Sequence, residues 1–203
     1  MSKQERIGIF GGTFDPIHNA HCEIARAALE KAGLGRIIFV VSAHPPHKQG
    51  GPYASAEDRF SMVAAAIQPE SRFEVSRVEL DRNGPSYTGD TLEEMRRLHP
   101  GASLFLIIGY DSLLDLPRWK DPEGIVARAR LLVVPRPNAS QPAPAELKGL
   151  YDILPFQETA LSSTEVRERI IAGEPFEDLV PPPVARLIRE RGIYRAHSSD
   201  RAR

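Results

Sequence analysis

The chain has 203 residues, which suits one domain, and its 41% hydrophobic and 26% charged content is that of an ordinary folded globular protein. A net charge of -1 excludes a general electrostatic pull toward nucleic acid or an anionic membrane, so a phosphate-rich ligand must be held by a local cluster of positive groups. Cys22 is the only cysteine, which excludes an internal disulfide, and no apolar run approaches the roughly 20 residues that span a bilayer.

The opening MSKQERIGIF lacks the apolar core of a signal peptide, so a cytoplasmic enzyme without nucleic-acid or membrane partners is expected. Residues 6–10 (RIGIF) read as a first strand ended by Gly11 and Gly12. Residues 20–32 follow helical spacing up to a stop at Gly33. Residues 36–41 (RIIFVV) form a continuous apolar run, as in a strand buried on both faces. A helix over 56–67, a short strand over 73–76 and a helix over 88–98 follow. Residues 103–108 (SLFLII) give the strongest strand signal. A helix over 125–130, strands over 131–134 and 151–154, and closing helices over 163–172 and 183–191 complete the pattern. This alternation predicts an α/β fold: a Rossmann-like, doubly wound parallel sheet with helices on both faces and a small C-terminal helical segment. Residues 1–195 read as a single domain, 135–144 (PRPNASQPAP) as a surface loop, and 196–203 as a polar, disordered tail. Ligands of such sheets bind beyond the carboxyl ends of the strands.

The segment after the first strand is GGTFDPIHNAH, residues 11–21. Two glycines allow a sharp turn and close approach of a ligand, and Asp15-Pro16 bends the chain before a helix. His18 and His21, three apart, share a face in the first helical turn, where free N–H groups and the helix dipole favour an anion. Alone, such a pair is more often incidental or a metal pair. Its place after a strand, a glycine pair and a Phe-Asp-Pro bend favours phosphate. Neither the dinucleotide fingerprint nor a Walker loop is present. Near the other end, Ser162-Ser163-Thr164 precedes a helical pattern with Arg167 one turn in. This is a second hydroxyl-rich helix start with a cation, although alone it reads as an ordinary N-cap.

GGTFDPIHNAH resembles the (H/T)-x-G-H signature of the nucleotidyltransferase superfamily, and most closely that of the bacterial nicotinate-nucleotide adenylyltransferases. Ala20 stands where that family usually has glycine. LSSTEVR, residues 161–167, is similar to the family's I-S-S-T-x-x-R. His44-Pro45-Pro46-His47-Lys48 resembles its P-P-H-K loop, SYTGDTL at 86–92 its S-Y-T-x-x-T-L segment, and Gly109-Tyr110-Asp111 with Trp119 its G-x-D and tryptophan pair. The likeness spans roughly residues 6 to 195. It implies transfer of AMP from ATP to nicotinate mononucleotide, with release of pyrophosphate, in NAD biosynthesis. It also implies that His18, His21, Lys48 and Arg167 act on the phosphates. The implied ATP site is Gly11, Gly12, Thr13, Phe14, His18, His21, Gly109, Asp111, Ser162, Ser163, Thr164 and Arg167. The implied pyridine nucleotide site is Phe14, Asp15, His47, Lys48, Tyr87, Thr88, Trp119, Lys120 and Arg136. Mg²⁺ is expected to arrive with ATP, held by substrate and water rather than a protein-built cage. The rival readings are an adenylyltransferase for phosphopantetheine or nicotinamide mononucleotide, and a nucleotide-binding regulatory module without catalysis.

Overall fold

The computed structural model describes residues 4–43, 51–136, 142–156 and 161–195. The expected polar tail and much of the Pro-rich 135–144 stretch lie outside them. Among the described residues, six parallel strands form one sheet, β1 (Arg6–Gly12), β2 (Arg36–Val41), β3 (Phe73–Ser76), β4 (Ser103–Gly109), β5 (Arg130–Val134) and β6 (Tyr151–Ile153). Their order is β3-β2-β1-β4-β5-β6, with every neighbouring pair parallel. The order reverses between β1 and β4, which opens a crevice beyond their carboxyl ends.

The two faces of the sheet separate by alternation along the strands. Phe10, Phe39, Phe105, Ile107 and Leu132 pack on one side with α1 (Asn19–Lys31), α2 (Ala56–Ile67), α6 (Ser163–Ala172) and α7 (Pro182–Arg191). Ile7, Ile9, Ile38, Leu106 and Val133 pack on the other with α3 (Thr88–Leu98), α4 (Tyr110–Asp115) and α5 (Pro122–Arg128). Each of these aliphatic side chains contributes about 1.5–3 kcal/mol relative to exposure. No helix among the described residues is long and apolar enough to cross a membrane.

Three departures from the sequence expectation have local causes. β1 does not stop before the glycines: Gly11 and Gly12 pair with Val40 and Val41 of β2. The helix expected over 125–130 begins earlier, because Asp121 Oδ1 accepts from the Gly124 N–H (3.0 Å) and Pro122 occupies the first turn. The six-residue α4 has no counterpart in the sequence pattern, since one and a half turns carry too little periodicity to register.

Candidate active site

The site begins where β1 ends. Neither Gly11 nor Gly12 has positive φ; the left-handed residue of this turn is Phe14, at φ 48. The glycines serve close approach rather than turning. A Cβ on Gly12 would lie 2.8 Å from the Phe14 ring, whereas one on Gly11 would meet nothing within 4 Å. Phe14 is buried and set edge-on to Phe10 and His21 (centroids 5.6 and 5.1 Å), so its ring forms the floor under the loop.

The resemblance implies Asp15 at the pyridine nucleotide, but the residue is 1% exposed and its carboxylate is taken up internally. Oδ2 accepts from the Tyr53 N–H (2.8 Å), and Oδ1 accepts from the Ala54 N–H (3.0 Å) and the Tyr194 hydroxyl (2.9 Å). The side chain therefore braces the loop from behind.

His18 caps α1 and His21 is its third residue. Their rings stack with centroids 3.7 Å apart. Burial pushes the His18 imidazole down to about 4, and His21 well below its ordinary value through burial and then its neighbour His18. Both rings are neutral at pH 7. His21 Nδ1 accepts the His18 backbone N–H (3.2 Å), which only an unprotonated nitrogen can do, so His21 carries its proton on Nε2. The pair offers N–H dipoles rather than positive charge.

The positive charge comes from α6. Ser162 caps that helix by accepting from the Glu165 N–H (3.2 Å). Ser163 Oγ donates to the Pro16 carbonyl (2.9 Å), and Arg167 donates to the Asp15 carbonyl (2.7 Å) and to Thr164 Oγ1 (3.1 Å). The Arg167 guanidinium also lies over the Tyr53 ring, 4.5 Å from its centroid. The two motifs from opposite ends of the chain thus meet at residues 15–16.

Beside this cluster lies a cavity of about 600 Å³ at the carboxyl ends of β1, β2 and β4. Gly11, Gly12 and Thr13 line one side, Tyr87 and Thr88 at the start of α3 a second, and Trp119 and Lys120 a third. Residues implied for ATP and for the pyridine nucleotide therefore share one space. Tyr87 caps α3 without a side-chain hydrogen bond, so the first-turn N–H groups are not satisfied by their own cap. Lys120 Nζ sits 4.1 Å from the Tyr87 ring centroid and 3.5 Å from Asp90. Trp119 is half-buried against the core on this face of the sheet.

Other expected residues fall elsewhere. Gly109 ends β4 and caps α4, while Asp111, in the first turn of α4, ion-pairs with Arg136; both partners are exposed. The resemblance assigns Asp111 to ATP and Arg136 to the pyridine nucleotide, and the structure puts them in contact. His47 and Lys48 lie outside the described residues. Ala20 is buried, at 5% exposure, in the first turn of α1.

Sequence reasoning misses three buried polar residues here. Glu79 lines the cavity, 7% exposed; its Oε1 accepts from Thr91 Oγ1 (2.7 Å), and its buried Oε2 makes no hydrogen bond among the described residues. Tyr194 and Arg59 lie behind the loop, 5% and 1% exposed. Arg59 has a legible signal: it shares the helical stripe of Met62, Val63, Ala66 and Ile67, where a charge is out of place.

A family model described as cytidylyltransferase-like matches residues 9–169. A probable nicotinate-nucleotide adenylyltransferase of Clostridium tetani is 41% identical over 196 residues, covering 92% of this chain and 98% of the relative. One of Thermus thermophilus is 45% identical over 191 residues, covering 94% and 100%. Among solved structures, the Plasmodium falciparum nicotinic acid mononucleotide adenylyltransferase complexed with NaAD superposes with a TM-score of 0.78 at 20% identity, covering 94% of this chain and 98% of that one. That likeness concerns the fold; with the family match and the two bacterial relatives, the chain belongs to the nicotinate-nucleotide adenylyltransferases of the cytidylyltransferase-like family.

Proposed function

We infer that the protein transfers the adenylyl group of ATP to nicotinate mononucleotide, giving nicotinate adenine dinucleotide and pyrophosphate, a step of NAD biosynthesis. The observation that carries this reading is the shared cavity. The glycine end of β1 forms one wall, and the start of α3 and Trp119 form walls suited to a flat anionic acceptor.

The acceptor phosphate is already ionised at neutral pH and needs no general base. It attacks the α-phosphorus of ATP in line, its oxygen forms the new P–O bond, and pyrophosphate leaves with the electron pair of the broken bond. The protein's task is positioning and charge stabilisation. In this reading, His18 and His21 donate N–H groups to the phosphates from the first turn of α1, whose dipole adds to the same effect. Arg167 supplies a planar cation held from behind by Asp15 and Thr164. Lys48 adds a second, compact charge. The α6 start contributes Ser162, Ser163 and Thr164. Gly109 and Asp111 serve ATP in this reading, and Arg136, paired with Asp111, serves the pyridine nucleotide. Tyr87, Thr88, Trp119 and Lys120 hold the pyridine ring.

A divalent metal belongs to this chemistry. Among the described residues, no group of three or more His, Cys, Asp or Glu side chains is close enough to hold an ion. We expect Mg²⁺ to arrive with ATP, where it would neutralise phosphate charge.

The test is a pyrophosphate-release assay on the purified protein with ATP, Mg²⁺ and a panel of nicotinate mononucleotide, nicotinamide mononucleotide and phosphopantetheine. Turnover with nicotinate mononucleotide supports the reading. Turnover with phosphopantetheine alone replaces it, and no turnover with any acceptor leaves a nucleotide-binding module.

A further inference from the structure

We propose that Asp15, Arg59 and Tyr194 form a buried positioning network that holds the main chain presenting Arg167 and the glycine end of β1 to the phosphates. None of the three side chains is placed to touch substrate, since each is buried and its hydrogen bonds run to the protein itself: Asp15 to the Tyr53 and Ala54 amides and the Tyr194 hydroxyl, and Arg59 to main-chain carbonyls. The network rests on the adenylyl-transfer reading given above.

Its members come from three distant parts of the chain. Asp15 lies in the loop after β1, Arg59 on α2, and Tyr194 just beyond α7. Arg59 donates to the carbonyls of Thr13 (2.8 Å) and Ser42 (2.6 Å), with a longer bond to that of Ala54 (3.4 Å). It thereby joins the loops leaving β1 and β2, which the Ser42 N–H also bridges to the Gly12 carbonyl at 2.9 Å. Asp15 receives the Tyr53 and Ala54 amides and the Tyr194 hydroxyl, while its own carbonyl receives Arg167. Tyr194 has φ 71, uncommon for a residue with a side chain; this conformation is held with its hydroxyl on Asp15.

Burying the charged side chains of Asp15 and Arg59 costs desolvation and is weak evidence for stability. A network that fixes loop backbone within a fraction of an ångström has a different value. Transfer chemistry depends on the placement of charge, and small misplacements beside the reacting phosphorus lose rate. Every hydrogen bond of this network ends on backbone or a side chain within residues 13–15, 42 or 53–54, the stretch that flanks the phosphate-facing groups.

The test uses the full-length protein with Tyr194→Phe, which removes one hydroxyl and no ring, and Asp15→Asn, which keeps shape but changes acceptor to donor at one atom. We expect Tyr194→Phe to lower kcat roughly three- to tenfold, the scale of one buried hydrogen bond, with the KM for ATP and for nicotinate mononucleotide each moving less than about threefold. The decisive readout is coupling: in an Arg167→Lys background, Tyr194→Phe should change kcat less than about twofold, because both act on the same guanidinium placement. Overturning results are a fall in unfolding midpoint with kcat per folded molecule unchanged, or losses that multiply in the double variant. Should Asp15→Asn fail to fold, Tyr194→Phe alone decides. A wild-type protein that releases no pyrophosphate would defeat the adenylyl-transfer reading instead, so the two failures are distinct.

Discussion

Arg167 donates a 2.7 Å hydrogen bond to the main-chain oxygen of Asp15, 152 positions earlier in the chain. The same guanidinium bonds Thr164 Oγ1 and covers the Tyr53 ring, so three of its features are used at once: two separate N–H vectors and a flat face. A lysine reproduces the charge and at most one of these contacts. Arg167→Lys is expected to keep the fold and lower kcat by roughly ten- to a hundredfold. Full activity in this variant would show that only charge, or nothing, is needed at the position.

The glycine pair can be taken apart experimentally. Gly12→Ala drives a methyl to within 2.8 Å of the Phe14 ring, which is buried against Phe10 and Phe39. It should destabilise the protein by about 1–3 kcal/mol, the usual cost of overpacking. Gly11→Ala meets no protein atom within 4 Å and should leave the denaturation midpoint nearly unchanged. Because Gly11 lines the cavity, its added methyl should instead raise the KM for a substrate. Equal midpoints for the two variants would refute the packing explanation.

His18→Ala and His21→Ala each remove a preorganised N–H donor without removing charge. A loss of at least ~100-fold in kcat is expected for each, the scale seen when one donor to developing negative charge is deleted. Turnover like that of the unaltered protein in a folded His21→Ala variant would remove His21 from the phosphate site.

The same histidines set a pH dependence of stability. His18 titrates at 6.5 as an ordinary side chain but near 4 in the fold, and His21 is shifted in the same direction. Between these values the unfolded chain binds more protons than the folded one, so stability falls as pH drops from 6.5 toward 4. Urea midpoints measured from about pH 7.5 to about 4.5, a range that brackets most of this window, should decline in the unaltered protein. The decline should be shallower in His18→Ala. An equal slope in both would show that His18 is not held neutral by the fold.

What the sequence reveals and what it hides follow from the range of the interactions. Strand runs such as residues 36–41 and helices such as 56–67 are written in local periodicity, and the observed β2 and α2 have those bounds. The two glycine- and serine-bearing motifs announce helix starts by local chemistry, and the structure brings both to the loop at residues 15–16. Asp15 carries no such local mark of its burial, because its partners lie at positions 53–54 and 194. Phe14 hides likewise: residue type points to Gly11 and Gly12 for the backbone turn, but a buried aromatic cage allows a phenylalanine to hold the positive φ instead. Tyr194 is illegible because one tyrosine after a helix has no periodicity to violate.

The acceptor preference follows from the chemistry of the cavity wall. Nicotinate carries a carboxylate on its ring, and nicotinamide carries an amide whose NH₂ is a donor. The start of α3 lines the cavity, and Tyr87 does not cap its first-turn N–H groups; turned to the ligand, these would satisfy a carboxylate while opposing the amide's NH₂. Arg118 and Lys120 flank Trp119 and line the same cavity. Asp121, next in sequence, would oppose an anion, but its carboxylate is already engaged by the Gly124 N–H and by Arg128 at 3.3 Å. Glu79, an acidic side chain of the cavity lining, is buried; its Oε1 accepts from Thr91, while its Oε2, without a hydrogen bond among the described residues, is one acceptor set against the two cations. A specificity constant at least ~100-fold higher for nicotinate mononucleotide than for nicotinamide mononucleotide is therefore expected, as hydrogen-bond mismatch can give. Trp119, half-buried on the cavity wall, offers a ring face for stacking worth about 1–3 kcal/mol. Trp119→Ala should raise the KM for the pyridine nucleotide by roughly tenfold or more while moving that for ATP much less. Initial-rate measurements with each acceptor at fixed ATP and Mg²⁺ decide both points. Equal specificity constants for the two acceptors would replace the nicotinate preference with dual specificity, and equal KM shifts for both substrates would take Trp119 off the pyridine ring.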